Sequence, residues 1–383
     1  MGRLNQRAFL TRLQRMRTAS RADLAKSMGM SQPTAGKIAD ELIEIGVLEE
    51  IPADELSNGA SRGDNGGAVG KLGRPGRLLR LDQTRPRFLG IQLDVSETKL
   101  AVLPAGTNGV DEWVVEVPTT DSAADWLRGL QAAAARIPQK DFWGVLVSVP
   151  GIVDEAAGRV LFSPNLHWTE RTDLPQLLQQ VWTAPVILVQ EERVLALGHQ
   201  SARPACDDFL LVDFGQGVGA AIVLGGRLYS NPVPVHGELG HTLVLGNQRV
   251  CGCGATGCLE TLVSVRGLLQ SYAAENPRGP HTWAALLQDI AQKGVVPWLA
   301  EALDATGAII AGSLNVLGLR RVVVTGALTE LPSMVTEHLG NAIVRGSLWA
   351  RFGRVECLSA PRRRTAGLVA AGLDQLVLPV AGS

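Results

Sequence analysis

The amino-acid sequence predicts an α/β protein in which a short helical head precedes a larger body of alternating strands and helices. Seven apolar segments of strand length recur between residues 88 and 325, and helical segments separate most of them. A length of 383 residues also exceeds the usual size of one domain. We expect a head over residues 1–82 and a two-lobed body over residues 88–383, with a cleft between the lobes.

The order of the predicted elements suggests an internal repeat in the body. The predicted strands are 88–93, 99–103, 143–149, 185–189, 209–214, 220–224 and 321–325, and the predicted helices are 122–136, 172–182, 191–202, 259–275, 283–292, 297–317 and 333–347. Two hairpin strands followed by a crossover occur near 88–149 and again near 209–325. We therefore expect the two lobes to share a similar topology.

Composition and charge narrow the classes of protein. With 46% hydrophobic and 19% charged residues, the composition is that of a globular protein. No apolar run reaches the ~18 residues of a membrane span, and residues 1–17 lack the apolar stretch of a secretion signal, so we expect a cytoplasmic protein. Residues 1–80 carry thirteen Lys and Arg against nine Asp and Glu. This modest excess suggests an anionic partner for the head, such as nucleic acid.

Three successive helices are predicted in the head. An amphipathic segment over residues 4–16 has apolar side chains at helical spacing. Ser20, followed three positions later by Asp23, forms a capping box that starts a second helix, and Gly29 is placed to end it in a left-handed turn. Ser31 then caps a third helix. This is the helix-turn-helix pattern, although an ordinary three-helix cluster would show the same spacing.

Polar side chains at the start of the third helix are the candidate base-reading groups. Gln32, Thr34 and Lys37 occupy its outer N-terminal turns. In a helix-turn-helix protein the second helix of the motif enters the major groove, where its first residues contact base edges. The pattern therefore predicts operator DNA as a partner and these three residues as contacts to it.

A wing is predicted after the third helix. Residues 47–51 and 78–81 have the pattern of two strands, and the glycine-rich segment between them has a flexible tip over 57–72. Gly73-Arg74-Pro75 resembles the arms that insert an arginine into the minor groove, so Arg74 and Arg77 are further candidate DNA contacts. The alternative is a flexible linker whose charges only maintain solubility. Helices and wing together predict a winged helix-turn-helix.

Three cysteines within eight positions predict a metal site. Cys251, Cys253 and Cys258 are separated by glycines that allow the chain to turn, and His241 lies ten positions upstream. Three thiols and one imidazole suffice for a closed tetrahedral zinc site of structural type. His236 is the rival fourth ligand, but we prefer His241 because it is nearer in sequence. The alternative is three buried free cysteines beside an unrelated histidine.

Several motifs together resemble the ROK family (repressors, open reading frames, kinases), the sugar-kinase-like proteins of bacteria. The motifs are Val149-Pro150-Gly151, Ser163-Pro164-Asn165, Gly215-Gln216-Gly217-Val218-Gly219, Glu238-Leu239-Gly240-His241 and the cysteine motif over 251–260. The resemblance implies an actin-like ATPase fold with two lobes. It also implies that members with a winged helix in front repress sugar-utilisation genes, whereas members without one are often ATP-dependent sugar kinases.

The resemblance implies a set of sugar-binding residues. By match to the family motifs they are Asn165, Glu238, His241 and Glu260. The catalytic base of the kinases belongs to an Asn-Asp pair, and Gln190 and Glu191 stand at those positions here. Glu191 is therefore both the residue at the base position and a further candidate sugar ligand. Carboxylate and amide groups suit this role because they form hydrogen bonds with saccharide hydroxyls.

The kinase pattern is interrupted at the loops that hold nucleotide phosphates. The kinases have Asp-x-Gly-Gly-Thr after the first strand of the body, whereas this chain has Gln92-Leu93-Asp94-Val95-Ser96-Glu97. This loop has no glycines to let backbone N–H groups approach a phosphate, and its two acids repel one. In the second loop Gln216 replaces the usual Thr. We therefore expect no ATP binding and no kinase activity.

These features favour a sugar-responsive transcriptional repressor that is not an enzyme. The partners implied are operator DNA and a sugar or sugar phosphate effector, and the cofactor is structural zinc. Paired half-sites in an operator require a homodimer or a dimer of dimers. One alternative is an ATP-dependent sugar kinase with a DNA-binding head. Another is a regulator with a vestigial sugar site that a protein partner controls.

Overall fold

The computed structural model describes residues 2–52, 77–107, 110–138, 141–203, 206–230 and 233–378. The N-terminal part contains α1 (Gly2–Met16), α2 (Arg21–Met28), α3 (Gln32–Glu44), β1 (Leu48–Pro52) and β2 (Arg77–Leu81). The two strands pair antiparallel. The elements thus follow the order predicted from the sequence. The predicted wing tip at 57–72 and Arg74 lie outside the described residues.

The predicted helix caps of the head are confirmed. The backbone N–H of Asp23 donates to the Ser20 hydroxyl, and the Asp23 carboxylate accepts from the Ser20 backbone in return. Gly29 ends α2 with φ 64°, in the left-handed region that glycine adopts without strain. The Ser31 hydroxyl caps α3 by accepting from the Thr34 backbone N–H. These local signals fix the turn between α2 and α3.

The remaining elements form the body. They are β3 (Pro86–Leu93), β4 (Glu97–Pro104), β5 (Val115–Pro118), α4 (Ala123–Ala134), β6 (Gly144–Val149), β7 (Ile152–Asp154), β8 (Arg159–Phe162), α5 (Leu174–Gln179), β9 (Val186–Gln190), α6 (Glu191–Ala202), β10 (Phe209–Phe214), β11 (Val218–Leu224), β12 (Arg227–Leu228), α7 (Glu260–Val263), α8 (Val265–Glu275), α9 (Trp283–Lys293), α10 (Pro297–Leu317), β13 (Arg321–Gly326), α11 (Ser333–Gly346), β14 (Glu356–Ser359) and α12 (Arg364–Gly372). A π-helical turn, Leu373–Val377, continues α12.

Two five-stranded sheets with the same topology organise the body. Their strand orders are β5-β4-β3-β6-β9 and β12-β11-β10-β13-β14. In each sheet an antiparallel meander supplies three strands, and two parallel strands follow on the other side. The central strands β6 and β10 are buried along their whole length, as expected for sheets covered on both faces. The predicted internal repeat is therefore confirmed.

Three predictions of elements need correction. The helix predicted over 259–275 is two helices, α7 and α8, because Ser264 adopts an extended backbone and caps α8 by accepting from the Gly267 N–H. In a continuous helix the Gly267 N–H would bond a backbone carbonyl, and the Ser264 hydroxyl would not act as a cap. The sequence analysis also missed α12 and the short strands β5, β7, β8, β12 and β14, because these segments are too short for a clear periodicity.

Close backbone contact joins α6 and α12. A Cβ atom on Gly198 of α6 would collide with the carbonyl oxygen of Arg363, and one on Gly367 of α12 would collide with that of Val194. The two helices therefore approach each other more closely than larger side chains allow. In the chain, α6 connects the first sheet to the second, and α12 follows the last strand of the second sheet. The two helices that follow the sheets therefore contact each other here.

The N-terminal part packs against the ends of these same two helices. The Arg17 guanidinium donates to the carbonyl oxygen of Ala202, the last residue of α6, at 3.1 Å. Arg15 pairs with Asp207 at 2.6 Å, and Arg7 pairs with Asp374 in the turn after α12. One cluster of buried apolar side chains includes residues of both parts, among them Phe9, Leu13, Phe88 and Leu373.

None of the described helices is by itself both long and apolar enough to cross a membrane. The pair α9 and α10 meets those criteria only when taken together, and the two helices are bent by 97° at their junction.

We predict that Gly367→Ala lowers the free energy of unfolding by about 1–3 kcal/mol, since the added methyl group forces α6 and α12 apart. Denaturant unfolding of the full chain measures the change. Gly312→Ala in α10 is the matched control, because a Cβ there meets nothing within 4 Å, and it should stabilise by about 0.5–1 kcal/mol. Equal effects of the two substitutions would contradict the proposed close packing.

Candidate functional site: the interlobe cleft and the cysteine cluster

A cleft of about 330 Å³ opens where strands of both sheets end. Its walls include Gln92 at the end of β3, Gln190 at the end of β9 and Asp213 near the end of β10. All five candidate sugar-binding residues line this cleft: Asn165, Glu191, Glu238, His241 and Glu260. The structure therefore brings them together, while their role as ligands to a sugar stays a prediction.

The carboxylate of Glu191 is already engaged by protein groups. The Arg364 guanidinium donates to one carboxylate oxygen at 2.5 Å, and the Ser148 hydroxyl donates to the other. Burial alone would raise the pKa of Glu191, but the charge of Arg364 and the Ser148 hydrogen bond hold it below its usual range. Glu191 is thus a paired carboxylate whose affinity for a proton is weakened.

A second arginine, two residues before the start of α12, bonds a carboxylate of β10 in the second sheet. The Arg362 guanidinium donates to both oxygens of Asp213 at 2.8 Å. Asp213 is buried, and a Cβ atom on Gly215 would lie 2.8 Å from Arg362 Nη2. Arg362 therefore occupies the space beside the glycine-containing loop at 215–219. Arg362 and Arg364 thus attach the start of α12 and the residues just before it to Asp213 of β10 and to Glu191 of α6.

Two polar groups in the cleft are buried without a hydrogen-bond partner among the described residues. They are Oε1 of Gln190 and Oε2 of Glu192. The amide nitrogen of Gln190 donates to Glu238 at 3.3 Å, whereas the oxygen remains unsatisfied. Burial, together with the neighbouring carboxylates of Glu191 and Asp213, raises the pKa of Glu192 to about 8. Such groups are costly unless a ligand, a proton or water satisfies them.

Glu238 and Glu260 hold parts of the second lobe in place. Burial raises the pKa of Glu238, and its carboxylate lies 3.8 Å from Nε2 of His241. The carboxylate of Glu260 accepts from the backbone N–H of Val218 at 3.0 Å. Glu260 thereby fixes the 215–219 loop, and it also lies 3.6 Å from the sulfur of Cys251.

The predicted metal-ligating residues converge beside the cleft. The donor atoms of His241, Cys251, Cys253 and Cys258 all lie within 4.8 Å of one another. Gly254 and Gly257 adopt φ of 91° and 94°, which lets the loop fold back on itself. Burial raises the pKa of Cys251 to about 12, which favours the neutral thiol when no cation is bound. His236 is not part of this cluster among the described residues, which agrees with the preference for His241.

Comparison with known proteins identifies the family. The sequence profile described as "ROK family" matches residues 88–371, which is most of the chain. The chain belongs to the ROK family.

Curated relatives of this ROK protein include both repressors and kinases. It is 31% identical over 278 residues to a putative xylose repressor of Caldicellulosiruptor sp. (strain Rt8B.4), covering 70% of this chain and 65% of that one. It is 29% identical over 187 residues to an N-acetylmannosamine kinase of Escherichia coli, covering 48% of this chain and 64% of the relative. The chain thus spans less than two thirds of the length of these relatives.

Solved structures show the fold of this ROK protein. A ROK family transcriptional regulator described as a homologue of the E. coli MLC protein superposes with a TM-score of 0.74 and 22% identity over 98% of both chains. A ROK glucokinase of Streptomyces griseus in complex with glucose and AMPPNP has a TM-score of 0.60 and 22% identity, covering 74% of this chain and 97% of its own. The body therefore has the two-lobed fold of ROK kinases.

Four of the candidate DNA contacts of this ROK protein are described by the structure, and all four are exposed. Gln32, Thr34 and Lys37 are exposed at the start of α3, while the opposite side of that helix is buried. Arg77 is exposed at the start of β2, where it pairs with Glu50 at 2.7 Å. The DNA contacts of all four residues stay predictions.

The sequence analysis missed Glu192, Asp213, Arg362 and Arg364 as residues of the cleft. A signal was present for the arginines, because three consecutive arginines at 362–364 directly follow Pro361. Such a run is usually a solvated surface, and only the fold brings Arg362 and Arg364 to the cleft. Glu192 had no distinguishing signal beyond its position next to Glu191.

We predict that Glu192→Gln removes a pH dependence of stability. The folded chain keeps the Glu192 proton up to a pKa of about 8, whereas an unfolded chain loses it near the ordinary value of 4.5. The free energy of unfolding therefore falls by up to about 1.4 kcal/mol per pH unit between these values. The variant should match the natural protein near pH 5 and exceed it in stability at pH 8.

Denaturant unfolding at pH 5, 6.5 and 8 checks this expectation. Glu301→Gln replaces an exposed carboxylate of α10 and is the matched control, which should follow the natural protein at each pH. If the Glu192→Gln and natural curves ran parallel across this range, burial of a neutral Glu192 would be ruled out.

Proposed function

We propose that this ROK protein is a sugar-responsive transcriptional repressor. Residues 1–82 bind operator DNA as a winged helix-turn-helix, and residues 88–383 bind a saccharide effector in the interlobe cleft. The observation that carries the proposal is that the head packs against the far ends of α6 and α12, the two helices that begin in the cleft. The xylose repressor relative and the regulator with a matching fold support the same reading.

The exposed start of α3 supports DNA binding by the head. Ala35, Ile38 and Leu42 are buried, so the helix is held by one side and leaves its first turns free. Lys37 is 80% exposed in its side chain, at a position from which it can reach a phosphate or a base. The paired strands β1 and β2 begin the wing, from which Arg74 and Arg77 would contact the minor groove.

The lining of the cleft supports a saccharide as effector. Asn165, Glu238, His241 and Glu260 offer an amide, two carboxylates and an imidazole around one space. Groups of this kind pair with several hydroxyls at once and discriminate between hydroxyl patterns. Glu191 would contribute only if a ligand hydroxyl joins or replaces its present partners.

Several contacts argue against phosphoryl transfer by this ROK protein. A kinase needs a base that takes the proton of the attacking hydroxyl, but the carboxylate of Glu191 is paired with Arg364 and its pKa is lowered. Arg362, held by Asp213, fills space beside the 215–219 loop where the kinases hold phosphate. We therefore propose a protein that is not an enzyme and that does not bind ATP.

The cysteine cluster would hold a structural zinc ion. His241, Cys251, Cys253 and Cys258 supply the four ligands of a closed tetrahedral site. Zinc would supply the positive charge that keeps the thiols ionised and the loop folded. Glu260 follows Cys258 by two residues, so a fixed loop also fixes the carboxylate that bonds the Val218 N–H.

The helices that join the cleft to the head provide a route for regulation. α6 begins with Glu191 in the cleft and ends at Ala202, which accepts from Arg17 of the head. α12 begins with Arg364 and leads to Asp374, which pairs with Arg7. A saccharide that favours one arrangement of the lobes would therefore shift the heads of a homodimer or a dimer of dimers.

We predict that purified protein contains about one zinc ion per chain. Cys253→Ser should lose most of this zinc and unfold at lower temperature, since a hydroxyl replaces one of four ligands. Elemental analysis of the metal and thermal unfolding are the measurements. Cys357→Ser, outside the cluster, is the matched control and should keep the metal. A zinc-free natural protein of unchanged stability would exclude the structural site.

We predict that the full-length protein retards DNA fragments from upstream of its own gene. Lys37→Ala should weaken this binding and reduce the slope of log affinity against log salt by about one if Lys37 contacts a phosphate. Lys293→Ala, an exposed lysine of α9, is the matched control and should bind like the natural protein. A panel of hexoses and pentoses, free and phosphorylated, should contain one compound that changes the retardation.

Two results would contradict the proposed function. One is the failure of the full-length protein to retard any such fragment in low salt. The other is ATP-dependent phosphorylation of a saccharide in a coupled assay, which would favour the sugar kinase instead. Retardation that no saccharide changes, together with release by a protein partner, would favour the regulator with a vestigial sugar site.

A further inference from the structure

We propose that the effector is a saccharide that carries a protonated amine and no phosphate, with Glu192 and Gln190 receiving the ammonium group. This inference deepens the proposed function and rests on it for the saccharide nature of the ligand. It assigns Glu192 as a residue that determines specificity, which neither the sequence motifs nor the family match indicates.

The first argument is the pair of unsatisfied acceptors. Gln190 is 3% exposed and Glu192 is half-buried, yet Oε1 of the first and Oε2 of the second are buried atoms that have no partner among the described residues. Both residues line the cleft, at the end of β9 and the start of α6. Each of these atoms could accept a hydrogen bond from a bound ligand, and an ammonium group offers three N–H donors.

The second argument is the balance of charge in the cleft. Both arginines of its lining are already paired, Arg362 with Asp213 and Arg364 with Glu191. Four further carboxyl groups of the lining form no ion pair with a lysine or arginine among the described residues: Glu192, Glu238, Glu260 and Glu330. A cleft lined mainly by acids concentrates cations and repels phosphate. A sugar phosphate, left open by the sequence, is therefore disfavoured.

The proton balance of this binding step follows from the surroundings of Glu192. Glu191, Asp213 and Glu238 are the charged groups that act on it, and all three favour its neutral form. When an ammonium group approaches, Glu192 gives up its proton to solvent and the ligand keeps its own three N–H bonds. Binding of the amine near pH 6 should therefore release about one proton, while binding of a neutral sugar should release none.

Calorimetry on the full-length protein tests the proposal. The probes are the gluco, manno and galacto series, each as the free sugar, the 2-amino-2-deoxy sugar, the N-acetylated amine and the 6-phosphate. In the series that binds, the free amine should bind about tenfold more tightly than the parent sugar, which corresponds to one charged contact. The N-acetylated amine should lose this gain, and the 6-phosphate should bind more weakly than the parent.

Variants locate the effect. Glu192→Gln should remove the tenfold preference for the amine over the parent sugar, while Glu301→Gln, at an exposed position of α10, should keep that preference. Repeating the natural-protein titration in two buffers of different ionisation enthalpy counts the released proton, so the test does not depend on the folding of a variant.

Failure of this inference and failure of the proposed function give different results. If a parent sugar or a 6-phosphate binds as tightly as the amine, or if the amine binds without releasing a proton, the inference is overturned while the sugar-responsive repressor stands. If no amine binds, the inference is also overturned, and the DNA-retardation experiment decides the repressor separately.

Discussion

The contact between α6 and α12 is the constraint on which the rest of this ROK protein depends. Glycines at 198 and 367 let the two helices touch backbone to backbone, and the ion pair of Glu191 with Arg364 joins their first residues. A buried pair of this kind is often no more stabilising than an apolar pair, but losing one partner is costly because the other charge stays buried. The pair therefore fixes the first residue of α6 relative to the first residue of α12, and both of these residues line the cleft.

Head and body share a cluster of buried apolar side chains. Arg17, in the turn after α1, bonds the last residue of α6, and Arg7 of α1 pairs with Asp374 in the turn after α12. Arg17 itself adopts φ of 62°, which is unfavourable for a residue other than glycine. The surrounding apolar cluster of Phe9, Leu13 and Leu373 holds this turn in place. The ends of α6 and α12 therefore contact the segment that precedes α2 and α3.

Much of the fold could be predicted from the sequence because its signals are local. The caps at Ser20 and Ser31 and the apolar strands of both sheets depend on neighbouring residues, and the structure contains them. The cysteine motif also predicts that its three thiols converge, because they lie within eight positions and the glycines between them allow the chain to turn. By contrast, α12 and the pairing of Arg364 with Glu191 depend on residues that are 173 positions apart, and no local pattern indicates such a contact. Glu192 became informative only when its burial was known.

The two sides of the cleft are held by different kinds of chemistry. On one side the Glu191–Arg364 pair orients the start of α6, and on the other Glu260 orients the 215–219 loop through the Val218 N–H. Glu260 lies 3.6 Å from the Cys251 sulfur and His241 lies 3.8 Å from Glu238, so the cysteine cluster and this wall of the cleft share residues. Glu260 thus contacts both the 215–219 loop, at 3.0 Å, and the cysteine cluster, at 3.6 Å. One wall of the cleft therefore contains an ion pair between α6 and α12, and the other adjoins a cluster of three thiols and an imidazole.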